Sequence, residues 1–277
     1  MISGNDDFVI HRILVAIDAT LNSAGVLETA AQLARVFNAE LNGIFVEDIN
    51  LLRLAGLPFT RELTRSTAME LHLDCQRMER ALRGHAAHAQ QAVVNITTRL
   101  KLQASLRIVR GQVTQELLRA AEGVDLFALG KGGKVRGARI GAIACQVAQQ
   151  AHCSVLLVQQ DAQCHNTVVT RFSGNERCER LLDAAARMAR AMHKTLLVLI
   201  PASSPASFQE LREYCRQRLG QNPLSVSYRN IFAESAYPNQ QVLRDTSVGI
   251  VVIDAESNSI EFETQLAKME CSALLVR

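Results

Sequence analysis

GVDLFALGKGGKVRGARIGAIACQVAQQAHCSVLLV, residues 123–158, is the stretch whose reading decides the fold. It reads strand, glycine-rich loop, helix, strand. Val124, Leu126, Phe127, Ala128 and Leu129 form the short apolar run of a buried parallel strand, and the run ends at Gly130. Gly132, Gly133, Gly137 and Gly141 follow, interleaved with Lys131, Lys134, Arg136 and Arg139. From Gly141 the apolar positions Ile143, Val147 and Ala151 recur at helical spacing, and Ser154 to Val158 is a second buried-strand run. Glycines between a strand and a helix let the backbone approach a ligand and aim N–H groups at it. The cations of the loop add attraction for an anion. The stretch therefore reads as a phosphate cradle at the carboxyl edge of a parallel sheet.

Two common phosphate motifs fail here. The dinucleotide pattern GxGxxG has Val135 in place of its third glycine, and the P-loop lacks its first glycine and its Ser/Thr. Gly130, Gly133 and Gly141 instead give G-x2-G-x7-G, followed by Ala142. This resembles the universal stress protein family, whose nucleotide-binding members carry G-x2-G-x9-G-(S/T) after strand four. The helix and strand that close with CSVLLV are also similar to that family. Here the loop is two residues shorter, and Ala142 replaces the hydroxyl that contacts phosphate.

Composition bounds the rest. A length of 277 residues suits two domains, each with a core of its own. Hydrophobic residues make up 48% and tryptophan is absent, so the core is built from Ala, Leu, Val and Ile. A net charge of +3 is too small to argue for nucleic acid or an anionic membrane. Seven cysteines with no C-x-x-C pair favour reduced thiols in a cytoplasmic setting. The segment MISGNDDFVIHR lacks the apolar stretch of a signal peptide, and no run reaches the length of a membrane helix.

In chain order, Ile13 to Ile17 is strand one and ends at Asp18. Asn22 or Ser23 is placed to cap a helix whose apolar face is Val26, Leu27, Ala30, Leu33, Ala34 and Phe37. Leu41 to Val46 is strand two. Residues 47–62 read as irregular, and a long helix is expected over 66–102, with Leu71, Cys75, Met78, Leu82, His85, Ala89, Ala92, Ile96 and Leu100 on one face. Leu106 to Val109 is strand three, and Thr114 is placed to cap a helix reaching Ala121. This alternation gives an α/β, doubly wound, open parallel sheet. The family resemblance adds a Rossmann-like, adenine nucleotide alpha hydrolase-like fold with five strands ordered 3-2-1-4-5.

Beyond the polar segment 159–167 the pattern restarts. An offset of 155 carries the first helix's apolar face to Leu181, Leu182, Ala185, Met188, Ala189 and Met192, all apolar. An offset of 118 carries CSVLLV at 153–158 to CSALLV at 271–276. Two tandem copies follow: 1–160 with the glycine loop, and a shorter 161–277. Strand four maps to Val248–Ile253 at an offset of 124, so 31 residues are missing before it, mostly from the irregular segment and the long helix. In the second copy Asp254 stands at the position of Gly130, and Ser173 at that of Asp18. A carboxylate there repels an anion, so the second copy is not expected to hold nucleotide in this mode.

The resemblance implies an adenine nucleotide, ATP or ADP with Mg2+, in the first copy. On that reading Asp18 helps hold the adenosine and the backbone of Val46 reads adenine. Gly130 and Gly133 give room for ribose and phosphate, and Gly141 with Ala142 sets a helix N-terminus against the phosphates. Lys134, with Lys131, Arg136 and Arg139, then substitutes charge for the missing hydroxyl. The plainer readings stand beside these: a turn or cap aspartate, glycines that only make turns, and a solvated basic loop.

His85 and His88 lie three apart on a helix with no third metal ligand at a telling spacing, so no metal site is expected. Cys153 and Cys271 begin the matched last strands and read as core thiols. Neither G-x-S-x-G nor SGGxDS nor HxGH is present, so a fast enzyme is not expected; the family resemblance implies a stress-response sensor or regulator. The alternatives are an interaction or scaffold module, and a binder of another small ligand. The last strands, 154–158 and 272–276, are apolar sheet edges. They either satisfy each other as an internal pseudo-dimer or seek another chain.

Overall fold

The computed structural model describes residues 8–18, 22–57, 61–63, 70–72, 75–132, 140–159, 165–220, 224–231, 247–255 and 260–277. The first half runs β1 (Arg12–Ala16), α1 (Asn22–Phe37), β2 (Glu40–Asp48), α2 (Ile49–Ala55), β3 (Arg61–Leu63), β4 (Glu70–His72), α3 (Cys75–Leu100), β5 (Ala104–Gly111), α4 (Val113–Ala120), β6 (Leu126–Gly130), α5 (Ala142–Gln150) and β7 (Ser154–Val158). The second half runs β8 (Thr167–Arg171), α6 (Glu176–Ala191), β9 (Thr195–Pro201), α7 (Pro205–Leu219), β10 (Val226–Ile231), β11 (Val248–Asp254), α8 (Ile260–Lys268) and β12 (Ser272–Val276).

One sheet of ten strands carries both halves, in the order β10-β9-β8-β11-β12-β7-β6-β1-β2-β5. Within the first half β5, β2, β1, β6 and β7 are neighbours and all parallel, which is the order 3-2-1-4-5. The neighbours β10, β9, β8, β11 and β12 repeat it. The halves join where β7 and β12 run antiparallel, with Val155 opposite Leu275, Leu156 opposite Leu274 and Leu157 opposite Ala273. The seam is closed by a reciprocal pair of hydroxyls. The Gln159 N–H, just past β7, donates to Ser272 Oγ at 3.0 Å, and the Arg277 N–H, just past β12, donates to Ser154 Oγ at 3.3 Å. Each serine begins the strand opposite, and each is buried.

Both faces of the sheet are covered, so its inner strands are apolar without alternation, whereas the edge strands β5 and β10 alternate. On one face Ile13, Val15, Leu126, Ala128, Leu156, Val252 and Leu274 pack under α1, α3, α6 and α7. On the other, Leu14, Phe127, Leu129, Val155, Leu157, Val251 and Leu275 pack under α4, α5 and α8. Both clusters continue across the seam, and α1 meets α6 over it. Each fully buried leucine of β7 and β12 contributes about 2 kcal/mol.

Several local expectations are corrected. The long helix starts at Cys75 rather than near residue 66, and Glu70–His72 instead pairs antiparallel with Arg61–Leu63. Leu71 keeps the helical period with Cys75 and Met78, but pairing of the chain back on itself overrides that local preference. The segment 47–62 is not all irregular, because it holds α2, capped by Asp48, whose Oδ1 accepts the Asn50 N–H at 2.9 Å. Strand two continues past Val46 to Asp48, since β5 pairs with it as far as Gly111. Thr114 does not cap α4. The cap position is Gln112, and the Thr114 hydroxyl donates to Gln146 Oε1 on α5 at 2.9 Å.

Candidate functional site

At the carboxyl edge of the first half, β1 and β6 are neighbours that send their following helices to opposite faces of the sheet: α1 to one, α5 to the other. The crevice this leaves opens into a cavity of about 550 Å³. Its floor is the ends of β1, β2 and β6: Ala16, Ile17, Asp18, Val46, Leu129 and Gly130. Gly132, Gly141, Ala142, Ile143 and Ala144 form one wall, with Val113 and Leu117 of α4 beside them. Leu51 of α2 and Met78, Leu82 and His85 of α3 line it from a further side.

Asp18 is exposed and held by its own backbone. Its N–H donates to Ser23 Oγ at 3.0 Å, and the same hydroxyl donates back to its carbonyl at 2.9 Å. The serine thus ties the end of β1 to the first turn of α1 and fixes where the aspartate's backbone stands. Val46 pairs with Val109 on β5. The Ile17 N–H donates to the Ile44 carbonyl at 2.9 Å, so Ile44 turns its backbone groups toward β1. Val46, two residues on, turns the same way, where β1 has already ended. A Cβ built on Gly130 would meet Val26 Cγ2 at 3.7 Å, an ordinary contact. Packing alone does not require glycine there; its effect is to leave the cavity open.

Gly141 is the N-cap of α5 and supplies no side-chain cap bond. Its N–H donates to the Lys131 carbonyl at 2.9 Å, and the first helical bond runs from Cys145 N–H to the Gly141 carbonyl. The N–H groups of Ala142, Ile143 and Ala144 therefore have no acceptor within the helix, and all three residues border the cavity. Gly132 forms an isolated antiparallel bridge with Ile140, so the glycine loop leaves and returns through a narrow neck. Gly133 and Lys134, with Arg136 and Arg139, lie outside the described residues.

Lys131 is not a solvated loop cation. Its side chain is 2% exposed and crosses the seam, where Nζ donates to the carbonyls of Met269 and Cys271. Burial is the largest influence on it and lowers its pKa to about 8, against the opposing pull of Cys271 and Glu270. The second half returns a matching contact. Arg277 donates to the carbonyls of Ala148 at 2.7 Å, Gln149 at 3.1 Å and Cys153 at 3.1 Å, at the carboxyl end of α5.

The equivalent edge of the second half is built differently. Asp254 lies 3.6 Å from the Arg177 guanidinium, and Ser173 Oγ is 3.2 Å from Cys178 Sγ. Burial pushes the thiols of Cys153 and Cys271 up to about 11 and that of Cys215 up to about 12, which suits core thiols rather than nucleophiles. Among the described residues no three His, Cys, Asp or Glu side chains form a metal site, and no helix is long and apolar enough to cross a membrane.

Of the residues read as a site, Asp18, Val46, Gly130, Gly141 and Ala142 border one cavity. Ser23, Asp48, Leu51 and Gly132 border it too and were not among them. Gly132 carried a signal, being one more glycine of the same loop; nothing in the sequence distinguished Asp48 or Leu51. Met78, Leu82 and His85 were legible only as a helical face.

Residues 10–159 match the sequence profile described as the Universal stress protein family. The chain belongs to the universal stress protein family. No curated protein matches this universal stress protein in sequence. Among solved structures it is similar to a universal stress protein from Archaeoglobus fulgidus DSM 4304, at 15% identity and a TM-score of 0.67, over 98% of this chain and 97% of that one. It is also similar to a functionally unknown protein from Pseudomonas aeruginosa PAO1, at 16% identity and a TM-score of 0.63, over 99% and 94%. The fold therefore recurs over the whole length of this universal stress protein. A universal stress protein in complex with cAMP matches 55% of this chain at 18% identity and a TM-score of 0.38.

Proposed function

We infer that this universal stress protein is a sensor or regulator that binds an adenine nucleotide, ATP or ADP, in its first half alone. The single observation that carries the reading is convergence on one cavity: the uncapped N-terminus of α5, the side-chain-free Gly130 and the carboxylate of Asp18. A helix N-terminus opposite a strand-end carboxylate suits a ligand with an anionic end and a hydroxylated end.

On this reading the residues fit the nucleotide. Asp18 accepts from ribose hydroxyls, and the backbone of Val46 meets the base. Gly130 and Gly132 give room, and the N–H groups of Ala142 to Ala144 receive the phosphates. Lys134 adds charge there. Mg2+ enters with the phosphates. Residues 1–160 then form the ligand-holding domain and 161–277 a shorter domain, whose edge carries Asp254 paired with Arg177. None of the six described cysteines is in a disulfide, which suits a reducing, cytoplasmic setting. Among the described residues no nucleophile is set against a base, so slow hydrolysis would be incidental.

Calorimetric titration with ATP and Mg2+ tests the reading. Saturable heat that ADP competes away is expected; no heat and no competition overturns it.

A second reading rests on a specific observation. Leu51, Met78 and Leu82 make one side of the cavity apolar, which suits a non-nucleotide ligand such as a metabolite or lipid. Native mass spectrometry of freshly purified protein separates the two, by the mass of whatever travels with the chain.

A further inference from the structure

The cavity and the seam share a frame. Lys131 sits between Gly130 and Gly132, both of which border the cavity. Its N–H donates to the Val158 carbonyl at 3.0 Å, at the end of β7, and its carbonyl receives the Gly141 N–H that starts α5. Its side chain leaves the cavity edge entirely and ends on the Met269 and Cys271 carbonyls, where α8 gives way to β12. A buried lysine so held cannot shift without leaving those carbonyls. Arg277 runs the other way, from just past β12 to the carbonyls at the far end of α5. Helix α5 is therefore fixed at its N-terminus through Lys131 and at its C-terminus through Arg277. Both ties lead into residues 269–277.

We propose that Lys131 and Arg277 form a two-way clasp that couples occupancy of the cavity to the order of residues 269–277, so that the second half reads the state of the first. The identity of the ligand rests on the nucleotide reading; the clasp itself does not. An anion received at the N-terminus of α5 steadies that helix and the loop neck at Lys131. The same positions anchor the Lys131 ammonium and the acceptors of Arg277. Steadying them restrains the end of α8 and the seam strand β12. The coupling element is a contiguous run of hydrogen bonds whose two ends lie on different halves.

Hydrogen–deuterium exchange on the full chain tests this, with wild type, Lys131→Met and Arg277→Gln, each first checked for native circular dichroism. Without ligand, Lys131→Met should speed exchange about tenfold both in 269–277 and at 141–145. Arg277→Gln should do the same at 141–145, although it acts at the other end of α5. Changes confined to the substituted side overturn the clasp. Should Lys131→Met fail to fold, Arg277→Gln carries this arm alone.

With Mg2+ and ATP at saturation, wild type should gain protection at 141–145 and at 269–277, and Lys131→Met only at 141–145. Protection at 141–145 with none at 269–277 in wild type overturns the coupling. No protection anywhere in wild type defeats the nucleotide reading instead, and the ligand-free arm then decides the clasp.

Discussion

Leu156 of β7 faces Leu274 of β12 across an antiparallel seam, and neither side chain is exposed. This pair stands where a parallel sheet would otherwise end in an open apolar edge. Such an edge pairs with whatever strand it meets. The full chain should therefore sediment as a monomer, because its own second half covers β7. A chain of residues 1–160 should self-associate through β7. Sedimentation velocity of the two chains distinguishes these states, and a monomeric short chain would remove the seam's role.

Gly130→Asp copies the residue that the second half carries at this place. The new Cβ meets only Val26 at an ordinary distance, so the fold should lose no more than about 1 kcal/mol. The carboxylate would stand in the cavity beside Asp18 and repel phosphate. Nucleotide heat in calorimetry should disappear while the urea midpoint hardly moves. Retained affinity would show that Gly130 does not border the ligand.

Ser23→Ala removes both hydroxyl bonds that set the turn at Asp18. A loss of about 1–2 kcal/mol is expected in urea unfolding, from two part-buried hydrogen bonds. Nucleotide affinity should fall by about tenfold, because the aspartate is no longer held at the strand end. Unchanged affinity with lowered stability would make the serine a turn residue alone.

The contribution of Lys131 to stability should rise with pH on the alkaline side. Lys131 has its folded pKa lowered to about 8 by burial, while the unfolded chain keeps the proton up to its ordinary 10.5. The unfolded state therefore binds more protons in this window, and the cost of burying the cation fades as pH rises through 8. The gain between about pH 7 and pH 9 is about 1 kcal/mol. From about pH 8 the buried thiols of Cys153, Cys215 and Cys271 oppose it, since each keeps its proton to about 11 or 12 when folded while the unfolded chain begins to lose it near 9. The stability difference between wild type and Lys131→Met in urea unfolding cancels the thiols, and it should move in favour of wild type by about 1 kcal/mol between pH 7 and pH 9.

Much of the fold was legible because its signals are local. The run Val124–Leu129 carries the mark of a strand buried on both faces. The offset of 155 between the two first helices points to a repeated unit, and all six mapped positions are apolar. Five of these are buried in α6, with Met192 at its C-cap packed against the same core. The start of α3 was less legible, because Leu71 fits the helical period while Glu70–His72 pairs back on Arg61–Leu63. The cavity's polar edge could be read from Gly130, Gly141 and Asp18. Its apolar side could not, because a helix face carries no mark of whether it meets core or cavity.

The chain's order of residues determined a twice-repeated layered sheet and a glycine-lined edge in only one half. Apolar runs and missing side chains act where they stand, and each is written in its own few residues. Only the folded molecule decided that β7 and β12 would meet, and that Lys131 would turn from the cavity into the other half. Its acceptors are backbone carbonyls of Met269 and Cys271. Every residue has such a carbonyl, so the letters of the sequence do not say which ones a distant lysine will find.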